Sequence, residues 1–85
     1  MLNQKIADLF EEIGRLLEFH GSKNPNERFR INAYYRAAVT IRNLPQAIET
    51  IAQEGKLREI TGIGEAIAGK IEEYIKTGKI KVYEE

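Results

Sequence analysis

Apolar residues in the N-terminal segment recur at helical spacing. Ile6, Leu9, Phe10, Ile13, Leu16 and Leu17 follow the i, i+3, i+4, i+7 pattern of an amphipathic helix. Asn3 stands where it would cap that helix, and Gly21 suits the left-handed position just past its end. Gly14 interrupts the stripe at a cost of about 1 kcal/mol relative to alanine, for which a close helix crossing is the simplest reason. Residues 21–26, Gly-Ser-Lys-Asn-Pro-Asn, read as a loop. A second helix is expected over 27–42, with Phe29, Ala33, Ala37, Ala38 and Ile41 on its inner face and Tyr34 at the edge. Pro45 suits the first turn of a third helix, where a missing N–H costs nothing. That helix carries Ile48, Ile51 and Ala52 and ends at Gly55.

The pattern then changes. Leu57 and Ile60 precede a Gly62-Ile63-Gly64 turn, and Ile67, Ala68 and Ile71 follow it at helical spacing. This reads as a short extra helix, a glycine hairpin and a last helix that runs to about Thr77, with Gly78 beyond its end. Lys79 to Tyr83 alternates but is too short and terminal for a sheet. The expected fold is all-α: a compact bundle of four main helices with a helix-hairpin-helix motif, in one domain over residues 1–85.

A tight glycine turn that opens onto a helix leaves backbone N–H groups unpaired at the positive end of the helix dipole, which is a seat for one phosphate. Glycine lacks a Cβ, so a nucleic-acid backbone can approach closely. The expected contacts come from Gly62, Ile63, Gly64, Glu65 and Ala66. Such a grip reads phosphates and not bases. A purely structural turn between packed helices is the alternative.

Composition narrows the options. Eighty-five residues bury too little for an enclosed catalytic cavity, so any chemistry belongs in a surface groove. With no cysteine there is no disulfide, thiolate metal site or cysteine nucleophile. No apolar run approaches a membrane span, and no signal peptide is evident, so a cytoplasmic location is expected. The net charge is zero, but its distribution is uneven. Residues 28–58 hold Arg28, Arg30, Arg36, Arg42, Lys56 and Arg58 against Glu49 and Glu54, an excess of four positive charges between two acidic flanks. A local basic face is what meets phosphates, although a basic helix can also be merely solvated. His20 is expected to complement the dipole at the end of the first helix. Of Tyr34 and Tyr35, one is expected in the core and one on the surface, unless the pair stacks an exposed base.

Three segments carry a family resemblance in order and spacing. They are Asn3 to Leu17 (Asn-x-x-Ile-Ala-x-Leu-Phe-Glu-Glu-Ile), Arg30 to Pro45 with its Ala-Tyr-x-Arg-Ala-Ala core, and Gly55-Lys-Leu to Gly78-Lys-Ile80. Over nearly its whole length the chain resembles the N-terminal domain of the DNA polymerase beta-like, family X polymerases, with the prokaryotic branch nearest. The resemblance implies a sequence-nonspecific grip on gapped DNA near its 5′-phosphate, in a monomeric piece of a longer repair polymerase whose catalytic domain is its partner. It implies phosphate contacts from Arg30, Tyr34 and Arg58, with Arg36 added by charge. It also implies that Lys70 is the amine of a 5′-deoxyribose phosphate lyase.

That amine must be neutral to form a Schiff base, and a lysine in water is only about 0.04% neutral at pH 7. Arg30 and Arg36 are the cationic neighbours expected to help. Family members also hold a monovalent cation, Na+ or K+, on hairpin carbonyls, here those of Arg58, Ile60 and Ile63. No other cofactor is expected. The chain departs from the family at Ala66, Phe29, Gly69 and Thr61, where relatives carry a lysine, a histidine, an acidic residue and a proline. The departures at Ala66, Phe29 and Gly69 touch the lyase more than the binding. A non-catalytic module that contacts a protein through the same hairpin is the alternative.

Overall fold

The computed structural model describes residues 2–20 and 25–79. Helix α1 spans Asn3–Phe19, α2 spans Pro25–Arg42, α3 spans Ile48–Gln53 and α4 spans Glu65–Thr77. A single 3₁₀ turn, Leu57–Glu59, stands before the hairpin as the short extra helix. Among the described residues there is no strand, and the fold is all-α as the periodicity indicated. Gly21 and most of the 79–83 segment lie outside the described residues.

The first two helices run antiparallel. Arg42 near the end of α2 pairs with Asp8 and Glu11 of α1, while Arg28 near its start pairs with Glu18. Ile6, Ala7, Phe10 and Ile13 of α1 meet Tyr34, Ala37, Ala38 and Ile41 of α2, and Phe10 and Tyr34 stack at a tilt with centroids 5.6 Å apart. Gly14 is explained by this crossing, because a Cβ there would lie 2.9 Å from Cε1 of Tyr35. Ile48, Ile51, Leu57, Ile63, Ile67, Ala68 and Ile71 close the core from the other side.

Several local expectations are corrected. Phe29 is 77% exposed, and Ile31 takes the buried place; the inner face of α2 is Ile31, Tyr34, Ala37, Ala38 and Ile41. Leu16 is likewise exposed, at the outer edge of its stripe. Helix α2 begins at Pro25, whose fixed φ and absent N–H suit a first turn. Helix α3 begins at Ile48, three residues after Pro45.

Asn3 does not cap its own helix, which starts after Leu2 without a side-chain cap. It is buried, accepts a hydrogen bond from the Ile48 N–H at 2.8 Å and donates one to the Gln46 carbonyl at 2.8 Å. The first residue of α1 thus caps the start of α3. At the helix ends, Gly55 and Gly78 have φ of 71° and 79°, the left-handed conformation that terminates a helix.

Candidate nucleic-acid interface

The hairpin joins the 3₁₀ turn to α4. Leu57 and Ile63 are buried, which anchors both sides of the turn in the core and leaves its crest outside. The Ile63 N–H bonds the Ile60 carbonyl at 3.0 Å and closes the turn. Gly62 has φ of 94°, and a Cβ there would come 3.0 Å from Oγ1 of Thr40, so both backbone and space call for glycine. Gly64 is extended, with φ −85° and ψ 179°, and nothing lies within 4 Å of where its Cβ would stand. The glycine at 64 is therefore not needed for the fold itself.

Gly64 is the N-cap of α4, and its carbonyl accepts the first intrahelical bond, from Ala68 at 2.9 Å. The amides of Glu65, Ala66 and Ile67 precede that bond and have no intrahelical acceptor. Gly64 has no side chain to cap them, and among the described residues no other group does. These donors face a shallow groove formed by residues 62–67 with Ala33 and Arg36 of α2. Arg36 is exposed and has no carboxylate partner among the described residues. The groove therefore combines unpaired amides, the positive end of a helix and a free guanidinium, all suited to one phosphate.

The rest of the basic segment is largely neutralised. Arg28 is paired with Glu18 at 3.2 Å, Arg42 with Asp8 and Glu11, and Arg30 loosely with Glu27 at 3.7 Å. Linear charge counting missed the Arg28 and Arg42 pairs because their partners are on α1, far away in sequence. Arg58 is the most tightly held. Its Nε donates to Oε2 of Glu65 at 2.6 Å, its Nη2 to Oε1 of Glu65 at 2.9 Å, and its Nη1 to Oε2 of Glu72 at 3.2 Å. Hydrogen bonding to Glu65 and then to Glu72 raises the guanidinium's pKa further, and the same contact holds the Glu65 carboxyl below its ordinary range.

The remaining predicted site residues fall elsewhere. Tyr34 is only 3% exposed and packs in the core, whereas Tyr35 lies half-buried against Gly14 with its hydroxyl donating to Glu18 at 2.8 Å. The two tyrosines do not form a shared stacking face. Lys70 is half-buried one turn beyond Ala66, on an open face of α4 shared with Gly69, Glu73 and Lys76. Neither Arg30 nor Arg36 lines that face. His20 is exposed just past α1. Among the described residues no cluster of histidine, cysteine or acidic side chains could hold a metal, and no helix is long and apolar enough to cross a membrane.

Residues 1–80 match the helix-hairpin-helix domain family. The chain is also 31% identical over 83 residues, 98% of its length, to a DNA polymerase lambda of Arabidopsis thaliana, and spans 14% of that protein. This supports a likeness to a family X polymerase segment and gives no particular support to the prokaryotic branch.

Proposed function

The chain belongs to the helix-hairpin-helix domain family, and from that premise we propose that it binds DNA by its phosphates. The observation that carries this reading is the groove at the start of α4. Amides at Glu65 and Ala66 stand beside Arg36, with no cap and no carboxylate partner among the described residues, and the bare backbone at Gly64 leaves room for a strand to approach. Main-chain amides at a helix start suit a phosphate oxygen and carry no base preference of their own. The likeness to a DNA polymerase lambda points to the same kind of partner.

Within this reading the domain is a monomeric part of a longer repair polymerase, and it holds gapped DNA near the 5′-phosphate for that polymerase's catalytic domain. Arg36 supplies the side-chain charge, with exposed Arg30 one turn before Ala33 as a further contact. Lys70 is the Schiff-base amine of a 5′-deoxyribose phosphate lyase in base excision repair, supported by its place on α4 one turn past the seat. A monovalent cation, Na+ or K+, belongs on the hairpin carbonyls of Arg58, Ile60 and Ile63. The Ile60 oxygen accepts one hydrogen bond, from Ile63, and keeps a second lone pair for an ion.

The test is a salt titration of binding to gapped duplexes with and without a 5′-phosphate. Phosphate contacts require the logarithm of affinity to fall linearly with log salt, by about 0.9 per contact. Affinity should rise with the 5′-phosphate and be alike for unrelated sequences. Binding that ignored salt would remove the phosphate reading and favour a protein partner.

A further inference from the structure

Arg58 lies at the hairpin, is cationic and is exposed, so proximity and charge both nominate it as a phosphate ligand. Its geometry indicates another task. The side chain leaves the 3₁₀ turn on one side of the hairpin and reaches Glu65, the first residue of α4, on the other. The bond is bidentate, with Nε and Nη2 each donating to a separate oxygen of one carboxylate. Nη1 and Nη2 then reach Glu72, seven residues further along the same face of α4. All three guanidinium nitrogens are thereby engaged by two carboxylates, and Arg58 does not line the groove that Arg36 lines. A planar fork satisfied in this way has no edge left for a phosphate.

We propose that Arg58 is a positioning residue that clasps the hairpin shut and leaves the phosphate to the amides and Arg36; this rests on the phosphate seat proposed above. The clasp does two things. It ties the residues on either side of the glycine turn together, which fixes the direction of the Glu65 and Ala66 amides. It also holds and neutralises the Glu65 carboxylate, which at the mouth of the seat would otherwise repel a phosphate. Lysine cannot replace arginine here, because an ammonium has neither the fork nor the reach to hold two carboxylates in this arrangement.

The experiment compares wild type, Arg58→Lys, Arg58→Gln and Arg36→Gln on a gapped duplex across a salt series, with NMR of the Arg58 Nε–Hε group with and without that DNA. The clasp requires Arg58→Lys to weaken binding severalfold, as Arg58→Gln does, because the charge is kept and the geometry is lost. Both variants should shift the free-protein amides of residues 61–66 and keep the wild-type salt slope. Arg36→Gln should flatten the slope by about 0.9. The Arg58 Hε resonance should stay in place when DNA is added. A wild-type-like Arg58→Lys, a slope flattened by Arg58→Gln, or an Hε resonance that moves with DNA would overturn the clasp alone. If wild type binds no DNA while the same amides still shift, the phosphate seat falls and with it any positioning role toward a phosphate.

Discussion

Asn3 is a short side chain with two long-range duties, and both of its partners belong to the start of α3. Asn3→Ala would leave the Ile48 amide and the Gln46 carbonyl without their bonds in a buried setting, a loss of about 1–3 kcal/mol. Asn3→Asp keeps the acceptor for Ile48 but sets an oxygen against the Gln46 carbonyl, so urea denaturation should find it destabilised as well. Gly14 makes the opposite point. Helix propensity promises about 1 kcal/mol of gain for Gly14→Ala. The new Cβ would meet the Tyr35 ring at 2.9 Å, and overpacking of that kind costs about 1–3 kcal/mol. The variant should therefore be no more stable than wild type, and retention of the full gain would show that the ring moves aside freely. At Lys70 the expected outcome is chemical. Borohydride should trap an imine between Nζ and the aldehyde of a 5′-deoxyribose phosphate, and Lys70→Ala should remove most of the adduct while gap binding stays within a few fold. Binding without any wild-type adduct would leave the domain a binding module.

At the scale of the element, the hairpin and the start of α4 form the unit on which the proposed phosphate seat rests. The two glycines of the turn have separate roles. Gly62 is required by its positive φ and by Thr40 against it, while Gly64 is conformationally ordinary and sterically free. A side chain at 62 should thus damage the fold, and one at 64 should damage only the approach of a ligand. Gly64→Val should keep the wild-type circular dichroism and unfolding midpoint and lose DNA affinity, with NMR shifts of wild type on DNA addition clustered at residues 61–66 and Arg36. Shifts that gathered instead on Asp8, Glu11 and Glu12 of α1 would place the ligand on the wrong face.

Across the whole molecule, ion pairs between elements make stability depend on pH in a definite direction. Glu18 is held below the ordinary 4.5 by hydrogen bonds first from Tyr35 and then from Arg28. Glu49 is held there by backbone N–H groups, its own and that of Leu2. Glu65 is held there by Arg58. A carboxylate whose folded pKa is depressed contributes stability in full above its unfolded value and loses it as pH falls through the folded one. Tyr35 is shifted the other way, above 10.0, by burial first and by its bond to Glu18 second. Its contribution is present below 10.0 and is lost as pH rises through the raised value. Thermal unfolding should show a plateau through neutral pH, with declines on the acid side below 4.5 and on the alkaline side above 10.0. Tyr35→Phe should soften the alkaline decline, and an unchanged decline would assign it to another group. The Glu18–Arg28 and Glu65–Arg58 pairs are solvent-exposed, so added salt should flatten the acid side of the profile.

Much of this protein is written locally in its chain. The apolar spacing from Ile6 to Leu17, the glycines beyond α3 and α4 and the Gly62–Gly64 turn each encode a conformation within a few residues. Where the sequence misled, the deciding partner was distant. Phe29 and Ile31 are both compatible with a helical stripe, and only the packing of α2 in the tertiary structure decides which of them is buried. Asn3 has the chemistry of a cap, but the helix it caps begins 45 residues later. The basic run from Arg28 to Arg58 is real in sequence, yet its charge is spent on Glu18, Asp8, Glu11, Glu65 and Glu72, which folding brings beside it. Local dihedral preferences and periodicity can be read one segment at a time. Burial, capping across elements and charge neutralisation belong to pairs of segments, so only the packed helices show that Arg36 at the hairpin has no carboxylate partner among the described residues.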